Sequence, residues 1–412
     1  MRNTEQFNVK SDNAKPETQK KKSSPAKKML IASGLLIVVA LAQYLIFDIT
    51  GVGARQNLRM IDTGIGVSYG FDMHANFYSP GAQNFFFGTR DGMQNISSTG
   101  DVRWQQGFNM IQPIMVGRGD MVAVGESEGR RIYVFNMNGL MYIANLQHPV
   151  LYFTVNQTGY LSVIMRTDIG YEIQVFNPNN PGDPNYGYRA PINDANVFPW
   201  SVDVSECGTY IAKALMDVDT LILSRLTFSY VRRVDSRGLP DGLFASYSFP
   251  NEFIFRTRFT GCGRVIAVTD HQILGFEAGS GTQGPLWNIP LYNRLDKIHI
   301  GESSFAYVTG DPFLNQPEAE NPGVLRIYNF DGQLTGTYDL GRRATHLNMG
   351  FNTVVVGIGR TFYALNNHGI QLWNYSAIYD VQDMFFLDNT DTVLLAGSTR
   401  ASVMRRLRVT EN

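Results

Sequence analysis

RTFYALNNHGIQLWNYS, Arg360 to Ser376, reads as an apolar run, a four-residue polar turn ending in Gly369, and a second apolar run carrying Trp373. Glycine supplies the positive φ of a tight hairpin turn, so the stretch predicts two antiparallel strands. The pattern recurs. MQNISSTGDVRWQQG (Met93 to Gly107), RIYVFNMNGLMYIANL (Arg131 to Leu146) and LRIYNFDGQLTGTYDL (Leu325 to Leu340) align on Gly100, Gly139 and Gly332. YEIQVFNPNN (Tyr171 to Asn180) and ILGFEAGSGTQGPLWNI (Ile273 to Ile289) are weaker copies. The last apolar residue before each turn falls at Ile96, Phe135, Phe176, Phe276, Tyr328 and Leu365, with gaps of 39, 41, 100, 52 and 37 residues. The longest gap leaves room for a divergent copy in TLILSRLTFSYV (Thr220 to Val231), which brings the mean interval to about 45 residues, the period of a four-stranded propeller blade.

A second repeat runs out of phase with the first. VNQTGYLSV (Val155 to Val163), VSECGTYIA (Val204 to Ala212) and FTGCGRVIA (Phe259 to Ala267) align on Gly159, Gly208 and Gly263. Two hairpins per period make four strands. Runs such as NFFFGT (Asn84 to Thr89), TVVVGIG (Thr353 to Gly359) and TVLLAG (Thr392 to Gly397) are apolar without alternation, as expected of strands covered on both faces. MFFLD, TVLLAG and ASVMRRLRV, between Met384 and Val409, are three strands of a final blade that lacks its fourth. LRMIDTGIGVSYG (Leu58 to Gly70) is placed to supply it and to close the ring, which removes open sheet edges. The expected fold is all-β: a β-propeller of eight four-stranded blades over residues 58–412. Seven blades is the alternative, because the copies between Asn177 and Arg256 are hard to partition.

Composition agrees with a turn-rich β protein: 26 Phe, 20 Tyr, 40 Gly and 17% charged residues. The net charge of -1 hides an asymmetry. Residues 1–28 hold eight Lys/Arg against three acids, which leaves 27 basic and 33 acidic residues in the rest. A negative body argues against a nucleic-acid partner, which needs a basic face to displace counterions. Residues 1–28 read as a disordered basic cytoplasmic tail. MLIASGLLIVVALAQYLIF, Met29 to Phe47, carries no charge over 19 residues, and as a helix it spans about 28 Å, the thickness of the hydrocarbon core. It is expected to be one transmembrane helix. Lys20, Lys21, Lys22, Lys27 and Lys28 precede it, so the N-terminus is cytoplasmic; residues 48–57 are a linker and the propeller lies outside the cytoplasmic membrane. The alternative is a cleaved signal peptide at Ala40-Leu41-Ala42.

FYALNNHGIQLW (Phe362 to Trp373), with echoes ending at Trp104 and Trp287, resembles the repeat of PQQ-like (quinoprotein-type) and WD40-like propellers, including an outer-membrane assembly lipoprotein of Gram-negative bacteria. The lysine-rich tail, the single anchor, HPVLYFTVNQTGYLSVI (His148 to Ile164) and FPWSVDVSECGTYIA (Phe198 to Ala212) resemble an uncharacterised family of membrane-anchored propellers from Gram-positive anaerobes, over nearly the whole chain. That resemblance implies the fold and the placement but no activity. Quinone-dependent dehydrogenases of the first group carry a cation site and adjacent cysteines; this chain has no Cys-Cys pair.

Motifs for chemistry are sparse. His74, His148, His271, His299, His346 and His368 show no metal-ligand spacing, and no G-x-S-x-G, Walker loop or H-E-x-x-H occurs. GSGTQG (Gly279 to Gly284) lies in a hairpin turn with no helix behind it. Trp104, Trp287 and Trp373 recur at one blade position and are assigned to packing between blades. Cys207 and Cys262 occupy the same turn in successive blades; a bond between them stays open, with free thiols as the default. Long loops break the pattern at Asn177 to Asn193, Arg232 to Gly242 and Gly310 to Gly323, where partner contacts usually sit. No catalytic, metal or cofactor residue is singled out, and no binding residue is identified. The expected role is a non-catalytic protein-binding scaffold for another cell-envelope protein. Recognition of an extracellular glycan or peptide at the channel mouth is the alternative, and an enzyme with a site assembled across blades is a third reading. An acid, base and arginine cluster at one channel mouth would favour the enzyme; an exposed apolar patch on the loops would favour a protein partner.

Overall fold

Each glycine hairpin is held by the polar residue three places before it. In the turn after Leu365, Asn366 Oδ1 accepts from the amides of His368 (3.0 Å) and Ile370 (2.9 Å), and Gly369 N donates to Asn366 O (2.9 Å) with φ 74°. Asn329 Oδ1 does the same for Asp331 and Gln333 before Gly332, and Ser97 Oγ for Thr99 and Asp101 around Gly100. A short side-chain acceptor stands in for a missing backbone partner, and glycine takes the left-handed position. The second, out-of-phase turns use the same device: Asn156 Oδ1 accepts from Thr158 and Tyr160, and Ser205 Oγ from Thr209 and Tyr210.

The computed structural model describes residues 37–38, 58–183, 187–219, 221–231, 242–279, 281, 284–313, 321–388 and 391–408. Between residues 58 and 408 it contains eight four-stranded antiparallel sheets, which form the blades of a propeller. Blades 1 to 7 are consecutive meanders over residues 76–107, 113–145, 150–192, 197–250, 254–290, 293–339 and 346–376. Blade 8 takes three strands from residues 381–408 and its outermost from Leu58–Ser68, which pairs antiparallel with Arg400–Arg408. The eight-blade reading and the closure of the ring by the earliest strand therefore hold, and the seven-blade alternative falls. The stretch that resisted partition is blade 4, whose third strand, Leu223–Tyr230, is the divergent copy.

Burial follows position in the blade. The second strand is sandwiched by its own sheet and two neighbouring blades, so Thr353–Ile358, Thr392–Gly397 and Asn84–Thr89 are buried almost throughout. Fourth strands alternate, as in Leu243–Pro250 and Val102–Gly107, because one of their faces meets water. Packing between blades uses the repeated tryptophan. Trp104 Nε1 donates to Met137 O (2.9 Å) and Trp287 Nε1 to Phe330 O (3.1 Å), each reaching the hairpin of the next blade, while the rings stack on Phe135 and Phe305. Gly332 completes this contact: a Cβ there would lie 2.6 Å from the Trp287 ring, at φ 75°. Gly332→Ala should lower stability by about 1–3 kcal/mol from the backbone conformation alone, with the ring contact adding to it, as measured by urea unfolding.

The loop expected over Asn177 to Asn193 is only partly a loop. Tyr188–Ile192 is the outermost strand of blade 3, pairing with Tyr171–Val175. Pro191 disguised it, yet an edge strand tolerates proline because its outward amide needs no partner. Residues 184–186, 232–241 and 314–320 of the three long loops lie outside the described residues, as does the basic tail 1–28. Of the helix expected over residues 29–47, only Ile37 and Val38 are described; both are helical and exposed. Among the described residues no helix is long and apolar enough to cross a membrane.

Candidate functional site

The first strand of each blade has a strand neighbour on one side only, and its free edge faces the propeller axis. Backbone groups on such an edge need partners, and side chains of adjacent blades supply several. Asn156 Nδ2 donates to Ser205 O (2.8 Å), Asn348 Nδ2 to Met384 O (2.9 Å) and Asn76 Nδ2 to Pro113 O (3.0 Å). Ser79 Oγ donates to Phe386 O (2.6 Å) across the junction between blades 1 and 8. Side-chain bonds thus bridge adjacent blades around the axis.

One arginine crosses it. Arg118, at the end of the first strand of blade 2 (Pro113–Arg118), extends past blade 3 to blades 4 and 5. Its Nη1 lies 2.9 Å from Asp203 Oδ2, its Nη2 donates to Phe259 O, and Glu206 Oε1 is 3.5 Å away. The same Asp203 oxygen accepts from Phe259 N at 2.7 Å. Arg118 and Asp203 are 6% and 2% exposed, so this is a buried ion pair tying three blades together.

Beside it lies a cavity of about 460 Å³ bounded by blades 1, 2, 5, 6, 7 and 8. Its walls differ in chemistry. Arg256 and Arg258, alternate residues of the strand Ile254–Phe259, and His299 of Asn293–Ile300 form a cationic and polar wall. Met115, Leu347, Met349, Phe351 and Phe385 form an apolar one. Neither the Arg256 nor the Arg258 guanidinium makes an ion pair or hydrogen bond among the described residues, and the carboxyls of Asp383 and Glu302, which also line the cavity, pair with neither. Burial, then repulsion from Arg118 and Arg256, draws the Arg258 guanidinium down to about 9, so it is still charged at neutral pH. Burial and the charges of Arg258 and Arg256 push His299 down to about 3, which leaves it neutral. Burial raises Asp383 to about 6 against a hydrogen bond from Met384 N and the charge of Lys297.

None of these residues stood out in the sequence as a site. The available signal was FIFRTRF, two arginines on one side of an inner strand. His299 alone of the six histidines lines the cavity; His271 stacks on Phe313 (5.3 Å), and His368 sits in its hairpin turn as expected. Among the described residues no three His, Cys, Asp or Glu side chains group as metal ligands. Cys207 and Cys262 are free thiols in equivalent turns of blades 4 and 5, with Cys207 Sγ 3.7 Å from Cys262 O.

The two ends of the propeller differ. The connections that join second to third strands, and each blade to the next, share one face; the first-to-second and third-to-fourth turns share the other. On the first face Phe71, Ile111, Ile169, Leu221, Ile222 and Ile378 are each more than half exposed, reaching 87% at Ile378. Trp200, packed edge-on against Phe253, adds to that end. The opposite end exposes Leu286 and Phe351 in its turns, and Val102, Leu140 and Leu334 where fourth strands begin.

A family model described as "Family of unknown function (DUF5711)" matches residues 71–405. No curated protein matches the chain. Among solved structures, BamB from Moraxella catarrhalis is similar at 11% identity and a TM-score of 0.47, over 84% of this chain and all of that one. Raptor from Chaetomium thermophilum is similar at 10% identity and a TM-score of 0.47, over 87% of this chain and 30% of that longer one.

Proposed function

We propose, for a chain that belongs to the DUF5711 family of unknown function, the role of a membrane-anchored, extracytoplasmic and non-catalytic platform that binds another protein of the cell envelope. The observation that carries this reading is the concentration of apolar side chains on the connections of one face, with Phe71, Leu221 and Ile378 the most prominent. Large apolar groups exposed on the loops of one face of a rigid scaffold are a feature of protein docking. The partner accordingly presents an apolar surface to this face. The anchor is supported by the uncharged stretch Met29 to Phe47 behind five lysines. The non-catalytic reading rests on the channel's titrating groups. His299 is too weak a base to exchange protons near neutral pH, and Asp203 is held by Arg118.

In-cell cross-linking of the full-length chain tests this. A protein captured by the wild type should be lost from a Leu221→Ser/Ile222→Ser/Ile378→Ser variant and retained by Leu286→Ser, whose change lies on the opposite face. A partner captured equally by all three proteins, or none captured by the wild type, would overturn the reading.

A further inference from the structure

We infer that the axial channel is a binding site for a small oxyanion-bearing molecule, gripped by Arg256 and Arg258 and packed against the apolar wall opposite. This site is independent of the docking face. Two guanidiniums two residues apart on one strand project to the same side, and both face a cavity of about 460 Å³, room for a compact organic acid or phosphorylated sugar. Arg258 is half-buried and Arg256 is an exposed residue of the cavity wall, and arginines taken out of water are ordinarily matched by carboxylates, as Arg118 is by Asp203. Arg256 and Arg258 are not, although Asp383 and Glu302 line the same space. The charges of Arg118 and Arg256 lower Arg258 after burial itself, outweighing the opposing attraction of Asp203. An arrangement that opposes folding in this way becomes favourable once an anion occupies it, because guanidinium groups present planar, charge-assisted donors to carboxylate and phosphate oxygens. His299, held neutral, offers the ligand a ring nitrogen as a hydrogen-bond donor or acceptor without adding charge. Met115, Leu347, Met349 and Phe385 give the rest of the molecule a dry surface, so the site selects an acid with an uncharged body over a free inorganic ion.

Thermal unfolding of the full-length protein in detergent tests this with sodium phosphate, glucose 6-phosphate and glucuronate as probes, against sodium chloride and glucose at matched ionic strength. Glucose 6-phosphate or glucuronate should raise the midpoint by about 2 °C or more near saturation, and by more than sodium phosphate does, and glucose should not. Glucose 6-phosphate acting alone assigns a phosphate ester, and glucuronate acting alone a carboxylate. The rise should vanish in Arg256→Gln/Arg258→Gln, and weaken at least tenfold in apparent affinity in Arg258→Gln alone. Non-specific stabilisation by phosphate acts equally on wild type and variant, so an equal rise in both would overturn the proposal. So would the absence of any rise beyond the chloride and glucose controls. Without ligand, Arg258→Gln should melt at or above the wild-type temperature, because it removes repulsion; a clear fall in midpoint would assign these arginines a structural role instead.

Discussion

Asp203→Ala should destabilise the propeller by about 3–5 kcal/mol, the range seen when one partner of a buried ion pair is removed. Two losses combine. Arg118, 6% exposed, keeps only the Phe259 carbonyl and the more distant Glu206, so its charge is left largely uncompensated away from water. The amide of Phe259 loses its 2.7 Å acceptor on the edge of an inner strand, where no other strand can replace it. Asp203→Asn keeps the acceptor while removing the charge, so it should fall between wild type and Ala. The measurement is urea unfolding followed by tryptophan fluorescence. Equal midpoints for wild type and Ala would show that the pair contributes nothing net to stability. A double variant, Arg118→Met/Asp203→Ala, should recover part of the loss because the unpaired buried guanidinium is gone.

Excising residues 58–68 from the full-length chain should have the largest effect of all. The strand Arg400–Arg408 would lose its outer partner, and the register that runs from Leu58↔Arg408 to Ser68↔Arg400 would become an open edge. Met60, packed in the core cluster with Met384 and Met404, would leave a void behind it. Arg400 would lose Asp62, 3.0 Å away, and Val403 O the hydroxyl of Thr63 at 2.7 Å. The expected result is a fall in thermal midpoint of roughly 10 °C or more, with aggregation and rapid proteolysis of blade 8, since an unpaired edge is a template for association. Size-exclusion chromatography and limited proteolysis read this directly. A monomeric product as protease-resistant as the parent would show that three strands suffice for that blade.

The architecture was legible because it is written locally. Asn366 and Gly369, Asn329 and Gly332, Ser97 and Gly100 each specify a turn within four residues, and the turns recur at a blade's length. Even the closing strand was readable, from a final blade one strand short. The hidden strand Tyr188–Ile192 was missed because Pro191 signals loop wherever the rank of a strand in its sheet is unknown. The channel is illegible for a different reason. Arg118 meets Asp203 across 85 residues and Phe259 across 141, and nothing in the flanking sequence marks which residues of an inner strand face the axis. The apolar connections were equally silent: an isolated Ile378 between two predicted strands looks like any loop residue until the ring gathers it with Phe71 and Leu221 on one face.

Ring closure also sets an order of events during biosynthesis. Thr63 is bonded to a residue 340 positions later, so the ribosome makes the first half of this pair tens of seconds before the second, at roughly 5–20 residues per second. Throughout that interval Leu58–Ser68 has no partner, while the blades between can assemble one after another as each meander is completed. Completion of blade 8 is therefore a length check performed by the fold: a chain interrupted upstream of Arg400 carries an unpaired strand at its beginning, an edge open to association, however well its finished blades have packed.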